Sequence, residues 1–245
     1  MKADQQLQWR LLDLQAIDTR LGQIRHRTKN LPEAAQVAGI TERIGEVDSK
    51  LTRARVIADD SGREAAKAEN DVALVRERAA RNQSRLDAGQ GSAKDMQALT
   101  HELESLARRQ SELEEVELEA MERVEAADAS VAALEAERAP LDAQLQEAKA
   151  AQAAATADLD AEAAELNRKR ADVSAGIGGE LLALYEKIRE TTGIGAAALR
   201  QRRCEACNME IVAADMARVA RAAADEVVRC EECRRILVRT AESGL

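Results

Sequence analysis

Residues 87–95 read DAGQGSAKD, and this short stretch decides how the longest part of the 245-residue chain folds. Gly89 and Gly91 break a helical pattern that runs for many turns on either side. Ser92 stands where the next helix needs an N-cap, with Asp95 three residues on as a capping-box-like partner. Backwards from the turn, apolar residues step alternately by three and four: Leu86, Ala79, Val75, Val72, Ala68, Ala65, Ala58, Ala54, Leu51, Val47, Ile44 and Ile40. Only Ser61 and Asn82 interrupt that stripe. Forwards, the same stepping runs from Leu99, Leu103 and Leu106 to Leu159 and Leu166, with Gln110, Glu117, Arg138, Gln152 and Glu162 as polar exceptions. Each series is the a/d seam of a coiled coil.

Two seams of similar length around one glycine turn predict an antiparallel coiled-coil hairpin over 1–175, turning near 87–92. Leu7, Leu11, Leu14, Leu21 and Ile24 extend the first arm, so that each arm has roughly 80 residues and a length of about 120 Å. Pro32 and Pro140 lie at comparable distances from the turn, which predicts a bend or a broken first arm at one shared height. The hairpin buries its own seam, so a monomer satisfies the pattern. Arg76, Arg78, Arg81 and Arg85 approach the tip and Lys94 follows it, but Asp71, Glu77 and Asp87 interleave with them. A solvated helix face explains that charge. His26 and His101 have no motif around them.

Composition agrees with long helices. Trp9 and Tyr185 are the only aromatics, there is no phenylalanine, and a third of the residues are charged. Small apolar side chains fill close helix interfaces and make poor broad cores. The formal net charge of −9 argues against a protein that coats nucleic acid generally, while leaving room for a local basic site. No signal peptide and no apolar run of membrane-spanning length is evident, which predicts a cytoplasmic protein with no membrane association.

At the far end of the second arm the composition changes. Gly176, Gly178 and Gly179 end the hairpin, and a connecting helix is expected within 176–192, roughly 180–190, before Gly193 and Gly195. The last segment, 193–245, holds all four cysteines as two C-x-x-C pairs, Cys204/Cys207 and Cys230/Cys233, separated by 22 residues. Each pair presents two thiolates from one tight turn, and two facing turns complete a tetrahedral site. DMARVARAAA reads as an inserted helix, EVVRC and RILVRT as strands about the second knuckle, and GAAALRQRRC and NMEIV as strands about the first. The expectation is a zinc ribbon with one structural Zn2+, and a core this small needs its metal to stay folded.

Other uses of paired cysteines fit this chain less well. A redox C-x-x-C belongs in a thioredoxin-like setting that is absent here. Four sulfur ligands leave no open position for catalysis. A zinc hook would place its pair at the hairpin tip. An iron–sulfur cluster remains the alternative for four thiolates.

These residues resemble the bacterial C4-type zinc-ribbon proteins that carry an N-terminal coiled-coil hairpin. The likeness covers the whole architecture. It is most specific at Leu181, Leu182, Tyr185, Ile188 and Arg189 before the ribbon, at the two C-x-x-C pairs, and at Arg235, Ile236 and Leu237 after them. KDMQAL after the turn is similar as well. The chain departs from the family at Asn208 and Arg234, where glycine usually follows a knuckle; Asn accommodates a positive φ and Arg does so at a cost. The resemblance implies a non-enzymatic adaptor, some members acting in flagellar or secretion-system regulation through an alternative sigma factor and in binding messenger RNA. What carries over is binding of nucleic acid, a regulatory protein partner, or both.

From Gly193 onward nine arginines meet eight acidic residues. Arg200, Arg202 and Arg203 beside the first knuckle, with Arg234, Arg235 and Arg239 beside the second, are the candidate phosphate contacts. No aromatic in the ribbon offers a stacking platform. The alternative function is a coiled-coil interaction scaffold, or a secretion-chaperone-like protein, with a purely structural zinc. No phosphate loop, activated nucleophile or histidine near the cysteines points to an enzyme or a small-molecule substrate.

Overall fold

The structure is a computed structural model and describes residues 1–89 and 91–245. Its helices are α1 (Gln5–Lys29), α2 (Pro32–Asp87), α3 (Ala93–Ile177), α4 (Gly179–Thr192) and α5 (Ala213–Arg221). Four short strands, β1 (Ala196–Arg200), β2 (Arg203–Cys204), β3 (Val228–Arg229) and β4 (Ile236–Arg239), form one sheet in the order β2-β1-β4-β3. The chain divides into two compact units, 35–150 and a second that joins 1–34 to 151–245.

The first unit is the helical hairpin of 35–150. Its arms pack in layers such as Ile44, Val47 and Leu141, and further along them Leu51, Val72, Leu99, Leu113, Ala120 and Ala127 are buried. The helices stop where the glycines allow: Gly89 and Gly91 have φ of +61° and +129°, while Gln90 lies outside the described residues. A capping box starts α3, the Ser92 amide donating to Asp95 Oδ2 at 2.8 Å and the Asp95 amide returning to Ser92 Oγ at 3.3 Å. Much of the charge near the tip is spoken for. Arg76 pairs with Glu114 at 2.7 Å, Arg78 with Glu102, and Arg81 with Glu77 at 2.6 Å.

The two prolines have different surroundings. Pro32 is the first residue of α2, after a break at Asn30 and Leu31, where Leu31 packs with Ile24 and Leu159. Pro140 lies inside an unbroken α3 and precedes Leu141, which packs against Ile44 and Val47. Only the first arm is broken, because a proline at the first helical position costs nothing there. Polar seam positions are resolved by pairing between the arms: Arg138 reaches Asp48 at 2.7 Å, and Glu162 accepts two bonds from Arg20 at 2.6 and 3.1 Å.

In the second unit the sheet is buried on both faces. Register alternation divides it. Ala196, Ile236 and Val238 face Leu11, Leu14, Ile177, Leu181, Tyr185 and Ile188 from the helices. Ala197, Leu199 and Leu237 face Ile211, Met216, Val219, Cys204 and Cys230. The central pair, β1 with β4, is parallel, with Ala196 opposite Ile236, as suits strands covered on both sides. The strands expected around the knuckles are shorter than predicted: EVVRC contributes Val228–Arg229, and NMEIV supplies one bridge from Glu210 to Arg203. With so few residues between knuckle and helix, the ladder has no room to extend.

Candidate metal centre

Both knuckles repeat one backbone pattern. Asn208 N donates to the Cys204 carbonyl at 2.8 Å and Cys204 N to the Met209 carbonyl at 3.1 Å. In the second, Arg234 N donates to the Cys230 carbonyl at 2.8 Å and Cys230 N to the Arg235 carbonyl at 3.0 Å. This geometry drives the residue after each second cysteine to positive φ, +59° at Asn208 and +62° at Arg234. The sequence departs from glycine at these two sites and the backbone keeps the glycine conformation, so Arg234 holds strain of about 1 kcal/mol.

The four sulfur atoms lie within 4.8 Å of one another. Cys204 Sγ is 3.8 Å from Cys233 Sγ, and Cys207 Sγ is 4.0 Å from Cys230 Sγ. A tetrahedron with Zn–S bonds of about 2.3 Å has S···S edges of about 3.8 Å. Disulfides, at about 2.05 Å, do not fit those distances, and a polynuclear iron–sulfur cluster would force the thiolates further apart. The donor chemistry fits too. Burial pushes the Cys204 thiol up to about 12, against backbone hydrogen bonds from Cys207 and Ala206. Cys230 is likewise raised by burial. Burial also works to raise Cys233, but the Arg235 backbone amide and the neighbouring thiols bring it below its ordinary value. Thiolates so buried and close need a cation among them. The centre takes one structural zinc on Cys204, Cys207, Cys230 and Cys233.

The six candidate arginines have different fates. Arg239 is a framework residue: its guanidinium donates to the carbonyls of Ala222 and Ala223 at 2.6 Å, of Glu226 at 3.0 Å, of Ala224 at 3.2 Å and of Val219 at 3.4 Å, closing the end of α5. Arg235 binds the Thr192 carbonyl at 3.3 Å and the Ala206 carbonyl at 3.5 Å, tying α4 to the first knuckle. Both guanidiniums are thus engaged by backbone acceptors. Arg200 pairs with Glu242 at 2.7 Å and Glu205 at 3.5 Å, and Arg234 with Glu231 at 3.0 Å. Arg202 and Arg203 are exposed, at and beside a two-residue β1–β2 turn in which Gln201 and Arg202 both have positive φ.

A buried polar network on the helix-covered face of the sheet escaped the sequence reading. Tyr185 is fully buried, and its hydroxyl donates to Asp18 Oδ2 at 2.7 Å. Asp18 also receives Arg170 at 2.7 and 3.2 Å, and Arg189 lies 3.3 Å away. Burial alone would raise the Asp18 carboxyl, but Arg170, Tyr185 and Arg189 together hold it below its ordinary value. Gln15 Oε1 accepts the Gly195 amide at 2.7 Å. A signal was present: Gln15 and Asp18 fall within the stripe Leu11, Leu14, Leu21, where polar residues demand partners.

Among the described residues no helix is long and apolar enough to cross a membrane. Two family models match the chain, the CT398-like coiled coil hairpin domain over 14–193 and the C4-type zinc ribbon domain over 203–237. Protein Rv2229c of Mycobacterium tuberculosis strain H37Rv is 36% identical over 239 residues, 98% of each chain. A solved structure from Mycobacterium smegmatis is 38% identical, with a TM-score of 0.89 over 98% of this chain and 100% of that one. CT398 of Chlamydia trachomatis shares the fold at 16% identity, with a TM-score of 0.67 over 96% and 98% of the two chains. With a helical hairpin, a four-sulfur knuckle pair and relatives that span its length, the chain belongs to the CT398-like coiled-coil hairpin family and carries a C4-type zinc ribbon.

Proposed function

We propose that the protein is a non-enzymatic adaptor whose zinc ribbon binds nucleic acid, with the hairpin as the arm that engages a regulatory protein partner. One observation carries the nucleic-acid reading. Among the described residues Arg202, Arg203, Arg221 and Arg229 have no carboxylate partner, although the ribbon holds nearly as many acidic residues as arginines. Cations left unpaired on a metal-stiffened scaffold favour a polyanion. The ribbon has no aromatic, so recognition rests on the phosphate backbone. Use of all four cysteines as ligands supports a reducing, cytoplasmic setting.

A salt titration of RNA and DNA binding to the zinc-loaded chain tests this. Binding whose affinity falls steeply with salt, and which chelation abolishes, is the expected result. Absence of binding at low salt would remove the reading. The partner-protein role is favoured by exposed apolar side chains on the distal arms, Val56, Ile57, Leu74, Leu118 and Met121. A pull-down with the intact chain and with those residues changed to glutamine tests it, and equal recovery by both would count against it.

A further inference from the structure

A second basic surface of the ribbon shares only Arg234 with the residues singled out by sequence. Between α5 and β3 runs an open groove of about 460 Å3, lined by Arg218, Arg221, Arg229 and Arg234 with Glu226 and Glu231. Glu231 is divided between two of the arginines, accepting from Arg218 at 2.5 Å and from Arg234 at 3.0 Å. The other two are held differently. Arg221 Nε donates to the Ala217 carbonyl at 3.1 Å, and Arg229 Nε to the Arg234 carbonyl at 2.6 Å. Each guanidinium is thus fixed through its inner nitrogen, and among the described residues its terminal nitrogens have no protein acceptor. The carbonyl that holds Arg229 belongs to the residue just after Cys233, so the metal knuckle sets that side chain's direction.

We propose that this groove is where a phosphodiester backbone lies, with the terminal nitrogens of Arg221 and Arg229 as its two phosphate forks. The proposal rests on the nucleic-acid reading above and goes further by placing the site. A planar fork presents two parallel donors to two phosphate oxygens, and anchoring at Nε removes much of the ordering cost. Four cations against two carboxylates leave the groove positive within an acidic chain. Its lining contains no aromatic, so the contacts read charge spacing and no base identity.

The test uses the full zinc-loaded chain and a fluorescent oligouridine of about 20 nucleotides, followed by anisotropy from about 50 mM salt upwards. Changing Arg221→Gln and Arg229→Gln together is expected to weaken binding about tenfold. It should also flatten the slope of log affinity against log salt by about 1.4, two phosphates at about 0.7 each. Glu226→Gln, which removes a carboxylate that makes no ion pair among the described residues, is expected to tighten binding severalfold; this variant decides the matter if the double variant loses zinc. Unchanged affinity and slope in the double variant, with loss on Arg202→Gln and Arg203→Gln, would overturn the groove and leave the nucleic-acid reading standing. No binding by the unaltered chain would overturn both. Competition by polyglutamate as effective as that by unlabelled oligouridine would overturn the phosphate assignment in favour of an acidic protein segment.

Discussion

Replacing Asp18 by asparagine isolates the joint between the hairpin base and the ribbon. The carboxylate receives Arg170 through two bonds and Tyr185 through one, with Arg189 at 3.3 Å. Asparagine keeps the shape, removes the charge, and turns an amide donor toward groups that are themselves donors. Breaking a buried ion pair by removing one partner costs about 3–5 kcal/mol. Here Arg170 and Arg189 keep 22% and 27% side-chain exposure and retain Glu186 at 2.5 and 2.8 Å. The loss should therefore fall at or below the bottom of that range, about 2–3 kcal/mol. Trp9, the only tryptophan, donates from Nε1 to the Arg239 carbonyl at 2.7 Å, so its fluorescence reports urea unfolding of the unit that contains the network. The carboxyl is held below its ordinary value, so its stabilisation is complete above about pH 4 and disappears as pH falls through the folded value. The gap between the two proteins should be full at neutral pH and close under acid. A gap under about 0.5 kcal/mol at pH 7, or one unchanged to about pH 3, would refute the assignment.

Chelating the metal should release one zinc per chain and unfold the ribbon while most helical circular dichroism persists, because a zinc site of this kind supplies about 10–16 kcal/mol of apparent binding energy; metal analysis with Trp9 emission checks it. Gly195→Ala should destabilise by about 3 kcal/mol in urea, since its Cβ would stand 2.5 Å from the Tyr185 ring and 2.8 Å from the Tyr185 carbonyl. Converting Gln201→Asn and Arg202→Gly in the β1–β2 turn should stabilise the ribbon by about 1 kcal/mol, because both residues now hold positive φ; differential scanning calorimetry of the zinc-loaded chain measures it.

The hairpin was readable because its information is periodic and local. Residues such as Val47, Val72, Leu99 and Leu113 repeat one demand every three or four positions, and the Ser92/Asp95 box marks a helix start with two side chains. The metal site was readable for a different reason: a tetrahedral ion needs four thiolates, and only four exist. What stayed hidden depends on contacts between distant segments. No local spacing told that α1 would lie against the ribbon sheet, burying Leu11 and Leu14 against Ile236 and Val238. Nor could the arginines near the knuckles be sorted, since Arg239 is held by carbonyls from 219 to 226 and Arg229 by one from the second knuckle. The register of the arms within 35–150 is displayed by the cross-arm pairs Arg55–Glu135 and Arg138–Asp48, and glycine spacing does not give it.

The sheet makes the metal and the helical base one cooperative object. Along β4, Ile236 and Val238 enter the core of α1 and α4, while Leu237 enters the core beside Cys204 and Cys230. A strand of four residues cannot hold this alternation alone. It is pinned on one side by the zinc knuckle that precedes it and on the other by Tyr185, whose hydroxyl is fixed by Asp18. Losing either pin frees the strand to slip, and a slip of one residue would exchange the two faces. The aromatic-poor composition makes both pins necessary: with one tyrosine among aliphatic side chains, apolar burial alone leaves the sheet underdetermined. Zinc and the buried ion network therefore supply the fixity that larger side chains give to larger cores. That fixity sets the guanidinium of Arg229, through the Arg234 carbonyl, in the groove where a phosphate chain would be read.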